Sequence, residues 1–205
     1  PIPVFGKGPL CGTGSIVDEQ NAITWSAGNP LTTSKPNNPN PARVINMSFG
    51  ADVSCDAAYQ SLIDGAYKRR SVLIVGAGNS GGSVQRPANC NRVIAVAAVT
   101  RQGARASYSS FGSQVAISAP GGDTEFNDPL DEIVSTWDSG ATVPLSDNSY
   151  ATSIGTSLAA PHVSGLVSLM LSVQPKLRAE SVKSILQNTA RPFPTGTGRG
   201  CTTST

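Results

Sequence analysis

The sequence predicts an α/β protein with a mostly parallel central sheet and helices on both faces. Its apolar runs are short, rich in β-branched residues and bounded by turn residues, which is the pattern of strands buried on both faces. Segments with apolar residues at helical spacing flank these runs, and buried strands alternating with helices specify a parallel sheet. The predicted strands are 43–49, 72–75, 93–99 and 114–119, with further strands at 2–5 and 133–137.

The helices are predicted from their starts and from their apolar spacing. Ser15 and Asp18 have the form of a capping box, so the first helix begins there and stops at Gly28. A second helix follows a cap at Ser54, and the last covers 179–189. A further helix runs from residue 156 to about Leu171; it is apolar on most sides, which predicts that it is buried all round.

Length and composition fit one compact domain. The chain has 205 residues, of which 39% are hydrophobic and only 14% are charged, so a folded core is expected. The net charge is +2, and the only basic run, Lys68–Arg70, lies at a predicted helix end. We therefore expect no nucleic-acid partner. No window approaches the roughly 18 apolar residues of a membrane span, so we expect no membrane partner.

Four cysteines point to a secreted protein with two disulfides. Their spacing contains no Cys-x-x-Cys pair, and the single histidine is distant, so no zinc site is predicted. Four free thiols in a cytosolic protein are the alternative. Cys11 and Cys55 each precede a predicted helix beside strand 43–49 and are expected to pair, which leaves Cys90 for Cys201. Cys201 has the alternative of a partner outside this sequence.

The segment Gly155–Gly165 carries the candidate nucleophile. Ser157 lies at the start of a helix, where free backbone N–H groups and the dipole favour negative charge. This environment suits a serine whose reaction passes through an oxyanion. The alternative is that Thr156 or Ser157 is an ordinary N-cap.

The only histidine, His162, is not predicted to be the base for this serine. It follows Ser157 by five residues, which places it about 140° round the helix axis. Its neighbour Pro161 removes one backbone donor and should bend the first turns or leave a carbonyl free.

The string Gly-Thr-Ser, followed by small residues and Pro-His-Val, resembles the nucleophile motif of subtilisin-like serine proteases (subtilases). Asn79, in Gly-Ala-Gly-Asn-Ser-Gly, is similar to the oxyanion-hole asparagine of that family. The resemblance implies a subtilisin-like fold and a secreted endopeptidase acting on protein or peptide substrates. In it, Ser157 would attack the scissile carbonyl, and Asn79 with the Ser157 N–H would stabilise the oxyanion.

The resemblance also implies a substrate site. Ser48, Phe49 and Gly50 resemble the strand end that pairs with an extended peptide, and Ala77 and Gly78 resemble the wall of the primary specificity pocket. Segments 105–112 and 119–122 resemble structural landmarks of the family. The P1 residue, on the acyl side of the cleaved bond, is not set by these motifs.

The resemblance covers the C-terminal two-thirds of a catalytic domain, so residues 1–205 are expected to be an incomplete one. The Asp motif and the His-Gly-Thr-His helix of subtilases have no counterpart here, and 1–5 resembles the strand after that helix. We expect a separate N-terminal fragment of the same enzyme to supply both residues, and this chain alone to be inactive. Truncation and a non-catalytic binding module are the alternatives. An α/β-hydrolase is disfavoured, because Ala159 breaks the Gly-x-Ser-x-Gly spacing.

No cofactor is implied for the chemistry. Subtilases often bind structural calcium, and the acidic loop 123–131 is the candidate for such a site, although its spacing matches no EF-hand. A solvated acidic loop is the alternative.

Overall fold

The structure is a computed structural model that describes residues 14–31, 36–125, 130–140, 143, 145 and 149–194. Four helices and six strands lie within these residues. The helices are α1 (Ile16–Ser26), α2 (Ala57–Lys68), α3 (Thr156–Val173) and α4 (Ala179–Thr189), and the strands are β1 (Val44–Met47), β2 (Val72–Gly76), β3 (Ile94–Val99), β4 (Val115–Pro120), β5 (Ile133–Trp137) and β6 (Ser149–Ser153).

The central sheet has the order β1-β2-β3-β4, and all three pairings are parallel. β5 and β6 form a separate antiparallel pair. The predicted α/β class is confirmed. Among the described residues, β1 has one sheet neighbour, β2, so its other edge is open.

Side-chain alternation along β2 explains the helices on both faces. Leu73 and Val75 pack with α1 and α2, whereas Val72 and Ile74 pack with α3 and α4. All five residues of β2 are buried. A strand with two buried faces needs a continuous apolar run, which is the pattern that the sequence has.

Two predicted helix starts can be compared with the structure. Ser15 caps α1 by accepting from the Asp18 N–H, as the capping box predicts. The cap predicted at Ser54 is wrong: Asp56 caps α2, and its carboxylate accepts from the Tyr59 N–H at 2.8 Å. The strand expected at 2–5 lies outside the described residues.

The prediction that α3 is buried all round is wrong. Its inner face is buried through Ala159, Val163 and Val167, but Leu169 is 66% and Val173 86% exposed. α3 is long and apolar enough to cross a membrane by length and composition, so the prediction that no window approaches such a span is wrong. Its inner face nevertheless contacts all four strands of the sheet, which is the packing of a core helix.

The predicted cysteine pairing is also wrong, because Cys55 is bonded to Cys90 with a Cα–Cα separation of 5.2 Å. Long-range contacts bring these two loops together. The Arg86 guanidinium lies 3.1 Å from the Asp56 carboxylate, and the Asn91 N–H donates to the Gln60 side chain at 2.8 Å. Cys11 and Cys201 lie outside the described residues.

Candidate active site

Three segments meet at one edge of the sheet. Residues 48–50 follow β1, residues 77–79 follow β2, and α3 begins beside both. Parallel neighbouring strands end at the same edge, which is where α/β proteins place their sites. The result is a cleft of about 330 Å³ lined by Ser48, Phe49, Gly50, Gly76, Gly78, Asn79, Ser80, Gln85, Thr156 and Ser157.

The predicted site residues are therefore together, with one exception. Ala77, expected in the pocket wall, is fully buried behind it. Its backbone N–H donates to the Val96 carbonyl, and its own carbonyl accepts from the Gln85 N–H, both at 2.9 Å. Ala77 thus anchors the wall without lining the cleft.

Ser157 is not an N-cap, and neither is Thr156. The N-cap of α3 is Gly155, which has no side chain to offer. The Ser157 hydroxyl donates to the Ser48 carbonyl at 3.2 Å. The Ser157 backbone N–H has no acceptor among the described residues. A hydroxyl and an unpaired N–H of one residue thus both lie at the cleft.

Asn79 is held in one orientation by Thr156. Its Oδ1 accepts from the Thr156 N–H at 2.9 Å and from the Thr156 hydroxyl at 2.8 Å. Because an N–H can only donate, the bonded atom must be the amide oxygen, and Nδ2 faces the other way. A Cβ built at Gly155 would lie 3.6 Å from Asn79 Nδ2 and 3.6 Å from the Ser157 nitrogen. Two donors therefore border the same small space.

Residue 155 is glycine, so no side chain stands beside these two donors. Gly155 has φ +149°, in the region that side chains rarely adopt, and it carries no Cβ. Its N–H donates to the Gly121 carbonyl at 2.9 Å, and the Tyr108 hydroxyl donates to the same carbonyl at 2.8 Å. Burial raises the pKa of the Tyr108 hydroxyl above its ordinary value, so the hydroxyl stays protonated and keeps donating.

Pro161 connects the helix to the substrate-binding strand end. In a regular helix the N–H of residue 161 would donate to the carbonyl of Ser157, and proline has no N–H. The Ser48 hydroxyl donates to that carbonyl instead, at 2.9 Å. The carbonyl left free by the proline therefore accepts its hydrogen bond from Ser48, which follows β1.

A polar chain extends from this contact. Ser164, two turns further along α3 than Ser157, donates from its hydroxyl to Asn46 Oδ1 at 2.8 Å. The Asn46 side-chain NH₂ donates to the Ser48 hydroxyl at 2.9 Å. Ser48 is thus held between Asn46 and Ser157.

His162 has a different partner. Its Nδ1 lies 2.8 Å from the Leu158 carbonyl of the same helix, and the residue is exposed. The Ser157 hydroxyl is bonded to Ser48 and not to this ring. The geometry agrees with the expectation that His162 is not the base.

The strand end after β1 has unused backbone groups. The N–H and carbonyl of Gly50 have no hydrogen-bond partner among the described residues, and the residue is exposed. The next residue, Ala51, is paired in both directions with Arg86. An extended peptide can therefore add to the chain at Gly50.

The described residues of the acidic loop, 123–125 and 130–131, do not form a calcium site. Among the described residues no three His, Cys, Asp or Glu side chains converge. The Asp123 carboxylate accepts from the N–H and hydroxyl of Ser107 at 2.5 and 3.0 Å, so its oxygens are engaged. Asp131 accepts from the Arg101 N–H and retains one buried unpartnered oxygen, far fewer than the six to eight that calcium takes.

A larger cavity, of about 1430 Å³, lies along β4 and contains neither Ser157 nor Asn79. Its rim includes Leu130 and Pro194, which adjoin residues outside the described ranges. We assign no function to it.

Sequence reasoning missed three residues of this site. Thr156, within Gly-Thr-Ser, orients Asn79. Asn46 points from β1 toward Ser48, and Gln85 closes the cleft. Only Thr156 stood inside a recognised motif. The contact of Asn46 with Ser164 joins residues 118 positions apart, and that of Gln85 with Gly78 crosses an irregular loop, so no local periodicity indicates either.

Comparisons with known proteins agree with this geometry. The model of the subtilase family matches residues 6–203. An extracellular protease of Xanthomonas campestris pv. campestris is 46% identical over 204 residues, which cover 98% of this chain and 33% of that protein. Subtilisin DY of Bacillus licheniformis is 35% identical over 184 residues, covering 87% of this chain and 57% of that protein.

Solved structures agree as well. A protease from Pseudoalteromonas arctica superposes with a TM-score of 0.83 and 40% identity, over 90% of this chain and 55% of that one. A cold-adapted subtilisin-like serine proteinase gives a TM-score of 0.69 at 26% identity, over 92% of this chain and 60% of that one. The chain thus spans between one third and three fifths of the length of these proteins. With the family model matching nearly all of it, the chain belongs to the subtilase family.

Proposed function

We propose that residues 1–205 are part of the catalytic domain of a secreted serine endopeptidase, with Ser157 as its nucleophile. The observation that carries the proposal is the pair of N–H donors, from Asn79 and Ser157, that border one space beside the Ser157 hydroxyl. Preorganised donors at such a position stabilise the charge that develops when a hydroxyl attacks a carbonyl. Relatives named extracellular proteases support the reaction class and the secreted location.

In this proposal a protein or peptide substrate lies extended along residues 48–50 and pairs with the free backbone groups of Gly50. The Ser157 oxygen attacks the scissile carbonyl, and a base takes the hydroxyl proton. The carbonyl oxygen becomes an oxyanion between Asn79 Nδ2 and the Ser157 N–H. The base then gives its proton to the leaving amine, and water hydrolyses the acyl-enzyme. These steps use side chains, backbone groups and water, and the proposal includes no cofactor.

The base and its aspartate belong to a segment outside this sequence, which we propose to be the N-terminal part of the same enzyme. The one histidine of the chain is hydrogen-bonded to its own helix. The Ser157 hydroxyl donates to the Ser48 carbonyl, which cannot act as a base. The open edge of β1 and the exposed apolar face of α3 provide surfaces for that segment to cover. This chain alone is expected to be inactive.

A fluorophosphonate probe tests the nucleophile. In the protein extended to include its N-terminal segment, the probe should label Ser157 covalently, and Ser157→Ala should abolish both labelling and peptide hydrolysis. Ser172→Ala, an exposed serine on the same helix, is the matched control and should still be labelled. The 205-residue chain by itself should not react. Absence of labelling in the extended protein would reject the protease and favour a binding module.

A further inference from the structure

The cleft beside Ser157 is closed by the segment 85–86. The Gln85 N–H donates to the Ala77 carbonyl at 2.9 Å, which attaches this segment to the wall after β2. Arg86 pairs with Ala51 through its N–H at 3.0 Å and its carbonyl at 2.9 Å, which attaches it to the wall after β1. The segment therefore spans the two walls and forms the floor between them.

The side chain of Gln85 lies between two glycines. A Cβ built at Gly78 would stand 2.4 Å from Gln85 Oε1, and one built at Gly50 would stand 3.7 Å from the same atom. Gly78 also has φ +112°, so a side chain is excluded there twice over. Glycine at position 78 makes room for the amide of Gln85 inside the cleft, and a Cβ at Gly50 would only touch that amide.

The amide is available for a ligand. It has no hydrogen-bond partner among the described residues, although it carries two donors and an acceptor. None of the described residues that line the cleft is charged, and the Ser80 hydroxyl is already shared with Ser110 at 3.1 Å. The recognition chemistry of the floor is therefore neutral and polar.

We infer that Gln85 makes this pocket select P1 side chains that end in an amide, asparagine or glutamine, over apolar side chains of the same shape. The inference rests on the proposed function. An amide at P1 can exchange hydrogen bonds with the Gln85 amide, whereas leucine or methionine would remove it from water without a partner. Unpaired polar groups of this kind are a strong source of discrimination between isosteric substrates.

The test uses the extended enzyme and peptides that differ only at P1. For the isosteric pairs Asn against Leu and Gln against Met, kcat/KM should favour the amide by about tenfold, the lower end of the effect because Gln85 is only half-buried. Gln85→Met should reverse the preference toward Leu and Met. Gln85→Glu should instead favour Lys, because it places a carboxylate on the floor.

Gln114→Met is the control, since Gln114 is exposed and lies outside the cleft; its preference should equal that of the wild type. An enzyme that cleaves all four peptides without favouring Asn and Gln overturns this inference and leaves the protease intact. So does a Gln85→Met variant that keeps the wild-type preference. If neither replacement of Gln85 folds, the wild-type ratios decide alone. A protein that cleaves no peptide and takes no fluorophosphonate overturns both proposals.

Discussion

The two regions of α3 are built differently. At its first turn, most polar groups have a hydrogen-bond partner. Thr156 binds Asn79, and the Ser157 carbonyl accepts from Ser48. The loop before the helix is bonded to Gly121. Two turns later the outer face is apolar and exposed, with Leu166, Leu169 and Val173 open to solvent. One helix thus carries a first turn whose polar groups are mostly paired and an apolar outer face that no described residue covers.

The difference separates what the described residues build by themselves from what we propose an N-terminal segment covers. The donors proposed for the oxyanion are held by contacts within the chain. A contiguous apolar surface next to an open strand edge, by contrast, is a place where further structure is expected to pack. The predictions below test each side of this contrast in the extended protein.

Gly155→Ala should have the largest effect on activity. The added methyl would lie 3.6 Å from both donor nitrogens and would occupy the oxyanion's space, at a φ that alanine rarely adopts. Since both donors are affected, we expect kcat to fall by about 10³-fold or more. Gly165→Ala is the control: a Cβ there meets nothing within 4 Å, and helix propensity should raise stability by about 1 kcal/mol. Full activity of Gly155→Ala would contradict the assigned oxyanion position.

Asn79→Asp should have the next largest effect. The carboxylate keeps both acceptor bonds from Thr156 but has no Nδ2 donor, so the loop stays in place while the oxyanion loses one donor. Removing one such donor costs about 10²–10³ in kcat in a subtilisin, and we expect a similar loss here with little change in KM. Steady-state kinetics measure it. A rise in KM alone would mean that Asn79 binds substrate instead.

Leu169→Gln tests whether the exposed apolar face of α3 is covered in the extended protein. Leu169 is 66% exposed in the structure, so covering it in the extended protein should make the substitution cost about 2 kcal/mol of unfolding free energy. Val17→Gln, on the exposed side of α1 at 58% exposure, should stay within about 0.5 kcal/mol. Denaturant unfolding gives both values. If the two variants behave alike, the outer face of α3 is a true surface and the segment packs elsewhere.

Asn46→Ala should have the smallest effect. It removes the link from Ser164 to Ser48, and one neutral hydrogen bond is worth about 1 kcal/mol, so kcat/KM should fall by about fivefold. Ser164→Ala should give part of the same loss, and the double variant should lose less than the sum of the two. This coupling is measured by a double-mutant cycle. Additive losses would show that the two side chains act separately.

Much of the molecule was predictable where the signal was local. The buried strands, the α1 cap and the bounds of β5 and α4 follow from apolar runs and capping residues. Ser157 and Asn79 were recognised because each stands within a run of specified neighbours. These are signals that a short window of sequence contains.

The errors share a different cause. The bond between Cys55 and Cys90 joins residues 35 positions apart, and the floor of the cleft places the Gln85 side chain against Gly78. Neither contact leaves a mark in local composition. The burial of α3 was overestimated for a related reason: an apolar face indicates that something covers it, but the sequence pattern does not say whether the covering residues belong to the same chain.

Pro161 has a consequence for protein engineering. A proline inside a helix costs roughly 3 kcal/mol relative to alanine, so a screen for thermostable variants would favour Pro161→Ala. The restored N–H would then compete with Ser48 for the Ser157 carbonyl, and the helix would no longer need its bond to the strand end where the peptide lies. Selection for heat resistance alone would therefore weaken the hydrogen bond that positions Ser157 relative to the strand end where the peptide binds.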